Sequence, residues 1–160
     1  MSARSDENTT TIRRLNDEVM NGGRLELIPE LYAAELVSRR RGMPSLAALA
    51  PGPPRDHIAP TERLALRIAA IRTAFPDWRS EVFAIVADGD TVVARYELSG
   101  THRGPLFGIE PTGRAVHLDE VVFYRLQHRR IVEDWAMADE LGLLLQLDAT
   151  HIVTSGLRGS

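Results

Sequence analysis

The strongest constraint on the fold is a change of hydrophobic period near Arg79. Downstream, "SEVFAIVADGDTVVARYELSGTHRG" alternates apolar and polar residues on both sides of Asp88-Gly89-Asp90. Asp-Gly tolerates the positive φ angles of a tight hairpin, so the stretch predicts two antiparallel strands. "RAVHLDEVVFYRLQHRRIVEDWAMA" predicts a second hairpin turning near His128-Arg129. No internal repeat is visible beyond these two hairpins.

Such strands need a second layer over their apolar face, and the upstream sequence supplies helices for it. In "NTTTIRRLNDEVMNGG", Ile12, Leu15 and Val19 recur at helical spacing before Gly22 and Gly23. "RLELIPELYAAEL" reads as a second helix broken or restarted at Pro29. "TERLALRIAAIRTAFPDW" reads as a third, with Thr61 as N-cap, Leu64, Ile68 and Ile71 on one face, and Pro76 beyond its end. "DELGLLLQL" closes the chain as a helix capped by Asp139. Helices followed by long antiparallel strands make an α+β fold, a curved antiparallel sheet wrapped around N-terminal helices. The Pro-, Gly- and Ala-rich "VSRRRGMPSLAALAPGPPRDHIAP" exceeds a simple connector and reads as either disordered or a lid.

With 160 residues, 44% of them hydrophobic, the chain suits one domain able to enclose both a core and a ligand cavity. The expected division is a flexible N-terminus over 1–7, a single domain over 8–148 and a tail over 149–160. A formal charge of -3 lacks the basic footprint of a nucleic-acid binder. Cysteine is absent, and all 19 basic residues are arginine, so thiolate and lysine Schiff-base chemistry are excluded. The opening "MSARSDENTTTIRRLNDEV" has no apolar signal core and no later run approaches a membrane span, which predicts a cytoplasmic protein without a membrane partner. No His/Asp/Glu cluster has metal-site spacing, so no metal is expected. Ser45, Ser80 and Ser99 lack a nucleophile signature.

Alternation assigns the strand faces. Val92, Ala94, Tyr96 and Leu98, then Val116, Leu118, Glu120, Val122 and Tyr124, then Val132, Asp134, Ala136 and Ala138 should face the helices. The other parity carries Arg95, Glu97 and Ser99, but also Val121, Phe123, Ile131, Trp135 and Met137. The latter group is too apolar for open solvent and predicts a homodimer interface, or else cover by a terminal segment of the same chain.

Glu120 and Asp134 thus stand on an apolar concave wall. Desolvation and mutual repulsion would raise their pKa values and suit them to proton transfer; alternatively each is satisfied by a buried donor and only structural. His102 in "SGTHRG" could orient a ligand at the cavity mouth or belong to a turn. Tyr96 and Tyr124 could hydrogen-bond a carbonyl or simply pack, and Trp78 should pack across the mouth. His57 could close over the pocket from the Pro-rich loop. Arg39, Arg40 and Arg41 form either a solvated element end or a gate for an acidic substrate.

"AFPDW", "GDTVVARYELSGTHRGPLFGIEPTGRAV" and "RIVEDWAMADELGLLLQL" resemble the SnoaL-like polyketide cyclases of the nuclear-transport-factor-2-like superfamily, from about Asn8 to Leu147. The resemblance implies a cone-shaped α+β fold, no cofactor, a hydrophobic polycyclic or carbonyl substrate, and a dimer formed through the sheet. It also implies an acid-base aspartate on the last strand, helped by a histidine and an amide on the strand before. Counted ungapped from Asp139 and Gly142, those positions fall on Ala136, Val122 and Glu120, which places Val122 and Ala136 at the substrate and leaves the aspartate position without a carboxylate.

The reading that follows is an acid-base cyclase or isomerase of secondary metabolism, with Asp134 as base and Glu120 as proton donor or ligand anchor. The alternatives are an epoxide-opening cyclase or hydrolase, or a non-catalytic binding or hydroxylase-accessory protein.

Overall fold

The computed structural model describes residues 2–41, 57–106 and 108–151. Most of the Pro-rich loop, with Ser45, and the end of the tail lie outside the described residues; His57 is within them and exposed.

Helix α1 (Ala3–Arg14) is capped by Ser2, whose Oγ accepts from the Ser5 amide at 3.2 Å. It therefore opens inside the segment 1–7 expected to be flexible. Its apolar stripe continues through the π-helical turns Leu15–Asn21, burying Ile12, Leu15 and Val19 as the spacing predicts. After a 3-10 turn, α2 spans only Ile28–Leu31, because Pro29 starts it and Tyr32 is already extended at φ -114 and ψ 146.

Strand β1 (Tyr32–Arg41) then replaces the expected remainder of that helix. It pairs in parallel with β5 (Arg130–Ala138), with Ser38 against Asp134 and Arg40 against Ala136. Pairing here satisfies backbone groups that β5 would otherwise leave open at a sheet edge, which outweighs weak local helix propensity.

Helix α3 (Pro60–Ala74) opens on Pro60 behind Ala59, so Thr61 is not its cap. Strands β2 (Arg79–Asp88), β3 (Thr91–Thr101) and β4 (Ala115–Gln127) then form the antiparallel part of the sheet, and α4 (Glu140–Gln146) follows Asp139, whose carboxylate accepts from the Gly142 amide at 2.9 Å. Among the described residues the order is β1-β5-β4-β3-β2, a curved, unclosed mixed sheet rather than a wholly antiparallel one.

The strand parities hold except at bulges. Arg125 faces Glu133 but Leu126 faces Ile131, so Val132 is the extra residue. Ile131 is consequently turned inward and fully buried, reversing the expected orientation of that pair. A second irregularity between Val82 and Ala84 leaves Phe83 exposed beneath the Arg95 guanidinium, 4.1 Å from the ring centre.

Two apolar clusters result. One joins α1, α2 and α3 to the sheet through residues such as Ile12, Ile28, Ile68, Val92 and Ile131; the other joins the end of α3 to α4 through Phe75, Val116, Leu143 and Leu144. Trp78 and Leu118 touch both.

Candidate functional site

A cavity runs along the seam between the two clusters. Its inner lobe, about 40 Å³, is lined by Tyr32, Tyr96, Val122, Tyr124, Asp134 and Ala136 among others. Its outer lobe, about 90 Å³, is lined by Ile71, Phe75, Trp78, Leu106, Leu118, Glu140 and Leu143 among others. Met20, Arg40, Arg67 and Glu120 belong to both lobes and form the junction. A wider depression of about 480 Å³ on the outer sheet surface is walled by Arg95, Glu97, His117 and Asp119, but its charges are exposed and Arg95 is paired with both Glu97 and Asp119.

At the inner end, Asp134 is only 5% exposed, and its Oδ1 accepts from the Ser38 hydroxyl at 2.5 Å. Burial pushes the Asp134 carboxyl above the ordinary carboxylate range; the Ser38 hydrogen bond and the Arg67 charge pull the other way, and Glu120 adds a smaller upward push. Desolvation thus dominates over the mutual repulsion expected for a carboxylate pair. The reason is register: Asp134 faces Tyr124 and Glu120 faces Ala138, a separation of four residues, or roughly 13 Å of strand.

Glu120 instead pairs with Arg40, which lies 2.7 Å away and also reaches Glu140 at 3.2 Å. The triad is largely buried, with side-chain exposures of 23% for Arg40, 11% for Glu120 and 6% for Glu140. Oε2 of Glu140 is buried without a partner among the described residues, as is Nε1 of Trp78. One guanidinium meets two carboxylates, so the junction keeps hydrogen-bonding capacity that no described group uses.

Three tyrosines complete the inner lobe. The Tyr96 and Tyr124 hydroxyls are 2.9 Å apart and hydrogen-bonded, and burial pushes the phenols of Tyr32, Tyr96 and Tyr124 well up, so all three stay protonated. Asn16 and Ser80 are closed on each other, Ser80 donating its hydroxyl to Asn16 Oδ1 at 2.7 Å and accepting from Asn16 Nδ2 at its carbonyl at 3.1 Å.

The structure therefore gathers Asp134, Glu120, Tyr96, Val122, Tyr124 and Ala136 around the inner lobe and Trp78 around the outer one. His102 is absent from the described lining of both. It is fully buried, 5.3 Å from the Phe75 ring, and its Nδ1 lies 3.1 Å from the Thr112 hydroxyl. The surrounding Gly-Thr-His-x-Gly stretch is a clasp. Thr101 donates its amide and hydroxyl to Asp77 at 2.7 Å each, and the amides of Arg103 and Gly104 donate to the Ala74 carbonyl.

Sequence reasoning missed Tyr32, Ser38, Arg67 and Glu140. Ser38 lies on the unforeseen strand β1, and Arg40 was seen only as part of a basic run. Arg67 carried a usable signal, since it falls between Leu64 and Ile71 on the apolar stripe of α3.

Together, the fold and the seam define a cone-like α+β domain with a carboxylate-bearing cavity between its sheet and its helices. The profile of the SnoaL-like polyketide cyclases matches residues 10–147, and the chain belongs to that family. Among solved structures, IdmH, a candidate polyketide cyclase from Streptomyces antibioticus, is 32% identical, with 88% of this chain and 98% of that chain covered and a TM-score of 0.70. A candidate SnoaL-like polyketide cyclase from Jannaschia sp. CCS1 is 22% identical, with 93% and 96% covered and a TM-score of 0.76. AclR from Streptomyces galilaeus, a candidate hydroxylase, is 23% identical, with 91% and 87% covered and a TM-score of 0.73. None of the curated proteins matches the chain.

Proposed function

We propose that the protein is a cofactor-independent enzyme that cyclises or isomerises a hydrophobic, polyketide-type carbonyl compound by acid-base chemistry, with Asp134 as the base. The observation that carries this reading is a buried carboxyl with a raised pKa at the inner end of the cavity, set among Tyr32, Tyr96, Tyr124, Val122 and Ala136. Ser38 holds one oxygen of Asp134, and the other is left to work on substrate. Glu120, held as a carboxylate by Arg40, anchors the ligand at the junction.

Counted ungapped from Asp139 and Gly142, the aspartate position that the resemblance implies falls on Ala136 and the histidine position on Val122, which pairs with Ala136 across the strands. Asp134 and Glu120 stand one pleat repeat to either side of this apolar pair. That shift supports moving the reacting carbon along the sheet toward Tyr124. The free space in both lobes is well below the roughly 300 Å³ of an ordinary ligand pocket, so a ring system would occupy the outer lobe first and displace the junction side chains to reach Asp134.

The test is exchange of α-protons from D2O into a panel of cyclic ketones and β-keto esters, followed by NMR. Wild-type protein should catalyse exchange, and Asp134→Asn should lower it by about 10²-fold or more with unchanged circular dichroism. Undiminished exchange by the variant overturns the assignment. Ala136 also supports a second reading, a binding or hydroxylase-accessory protein, which saturable ligand binding without exchange would favour. We further propose a homodimer through the outer face of the sheet.

A further inference from the structure

Arg67 is the cation of the cavity whose hydrogen-bonding capacity is unspent. Leu64, Arg67, Ile68 and Ile71 follow one another at helical spacing on α3, which carries Arg67 onto the face that covers the cavity. Among the described residues Arg67 makes no hydrogen bond or ion pair. Arg40, across the same junction, is engaged by Glu120 and Glu140, and Arg72, further along the same helix, is spent on the carbonyls of Met20 and Asn21 at 3.0 and 2.8 Å. A guanidinium on the apolar side of a helix pays a desolvation cost that pairing normally offsets. Its charge nevertheless reaches the inner lobe, where it acts on both the Asp134 carboxyl and the Tyr32 phenol.

We infer that Arg67 is the electrophilic group of this cavity, donating to the carbonyl oxygen of an enolisable ketone or ester and holding the negative charge that moves there when Asp134 takes the α-proton. The inference rests on the reading of Asp134 as base. In the step, the Cα–H bond breaks and its proton goes to the Asp134 carboxylate. The bonding pair becomes the enolate C=C, and the carbonyl π pair moves onto the oxygen facing Arg67. The enolate carbon then attacks a carbonyl carbon of the same molecule, whose π pair moves onto its own oxygen and takes the proton from Asp134, or the enolate recovers that proton at carbon. No oxidant, reductant or second reactant is consumed.

The other donors are neutral or already engaged: the Tyr32 hydroxyl and the second hydroxyl proton of the Tyr96–Tyr124 pair carry no charge to set against an enolate. One hydroxyl proton of the Tyr96–Tyr124 pair is already spent between them, and Arg40 bridges two carboxylates. The junction also argues for a neutral carbonyl over a carboxylate ligand. Glu120 and Glu140 already balance the charges of Arg40 and Arg67 at the junction, which leaves no net positive charge to attract a free acid, whereas a ketone develops charge only in the reacting state, where a fixed cation acts most strongly.

The test uses 2-naphthol, a flat phenol whose ionised form resembles an enolate and is distinguished by absorbance. The Asp134→Asn protein stands in for the state after proton transfer. Bound naphthol should ionise more readily than free naphthol by about tenfold or more. Adding Arg67→Gln should abolish that gain, and Arg67→Lys should restore part of it. Naphthol that binds with the same ionisation in the Arg67→Gln protein overturns the role of Arg67 and leaves the cavity reading standing. Failure of naphthol to bind any of the variants, each folded by circular dichroism, overturns the cavity reading and this inference together.

Discussion

Asp134 is a group that the fold holds at a cost. Its folded pKa lies above the unfolded value, chiefly through burial, so below about pH 4 both states are protonated and the penalty is absent. As the pH rises, the unfolded chain releases its proton first, and stability falls until the folded value is passed. Asp134→Asn keeps the acceptor for Ser38 and removes the penalty. It should therefore raise the midpoint of thermal unfolding at pH 7 by a few degrees, with the gain vanishing near pH 3. A midpoint unchanged at pH 7 would show that the carboxylate is compensated. Residue-level reading of the sequence found Asp134 and Glu120 because alternation alone sorts a strand into faces. It overstated their coupling, because one face does not imply proximity: partners are set by register, and the register puts Tyr124 opposite Asp134 and Ala138 opposite Glu120.

At the scale of elements, the two hairpins, α1, α3 and α4 were legible because their signals are local: period, Asp-Gly turn, Asp139 cap. Strand β1 was not, because "YAAELVSRRR" has no clean alternation and becomes a strand through a non-local partner, the edge of β5. The candidate site inherits that blind spot, since β1 supplies both Ser38 and Arg40. The clasp at the end of β3 shows the opposite case, a conspicuous motif whose residues serve packing. A Cβ on Gly104 would stand 2.3 Å from the Thr73 carbonyl oxygen, a backbone atom at the end of α3. Gly104→Ala should thus cost about 1–3 kcal/mol, read as a lowered denaturant midpoint. If the clasp is structural, ligand binding by the folded fraction should be retained; loss of binding with full stability would return the motif to the site.

For the molecule as a whole, the two faces of the sheet are assigned opposite tasks. The inner face is consumed by the helices and the cavity. On the outer face, Phe123 and Met137 are 46% and 47% exposed, Trp135 stacks edge-on against Phe123 at 5.7 Å, and the Arg39–Glu133–Arg125 ion pairs border the patch. Cross-strand registers Phe123–Trp135 and Val121–Met137 make this one contiguous apolar surface rather than scattered residues, of the kind that a two-fold partner covers with the same patch of its own. Sedimentation equilibrium should give a dimer for the wild-type chain and a monomer for the Phe123→Glu, Met137→Glu double variant. Because Val122 and Ala136, the neighbours of these residues along β4 and β5, face the cavity on the other side of the sheet, the monomeric variant should still bind 2-naphthol. A wild-type chain that sediments as a monomer would end the dimer proposal. Naphthol binding lost along with dimerisation would mean that the partner braces the β4–β5 wall of the cavity through the sheet.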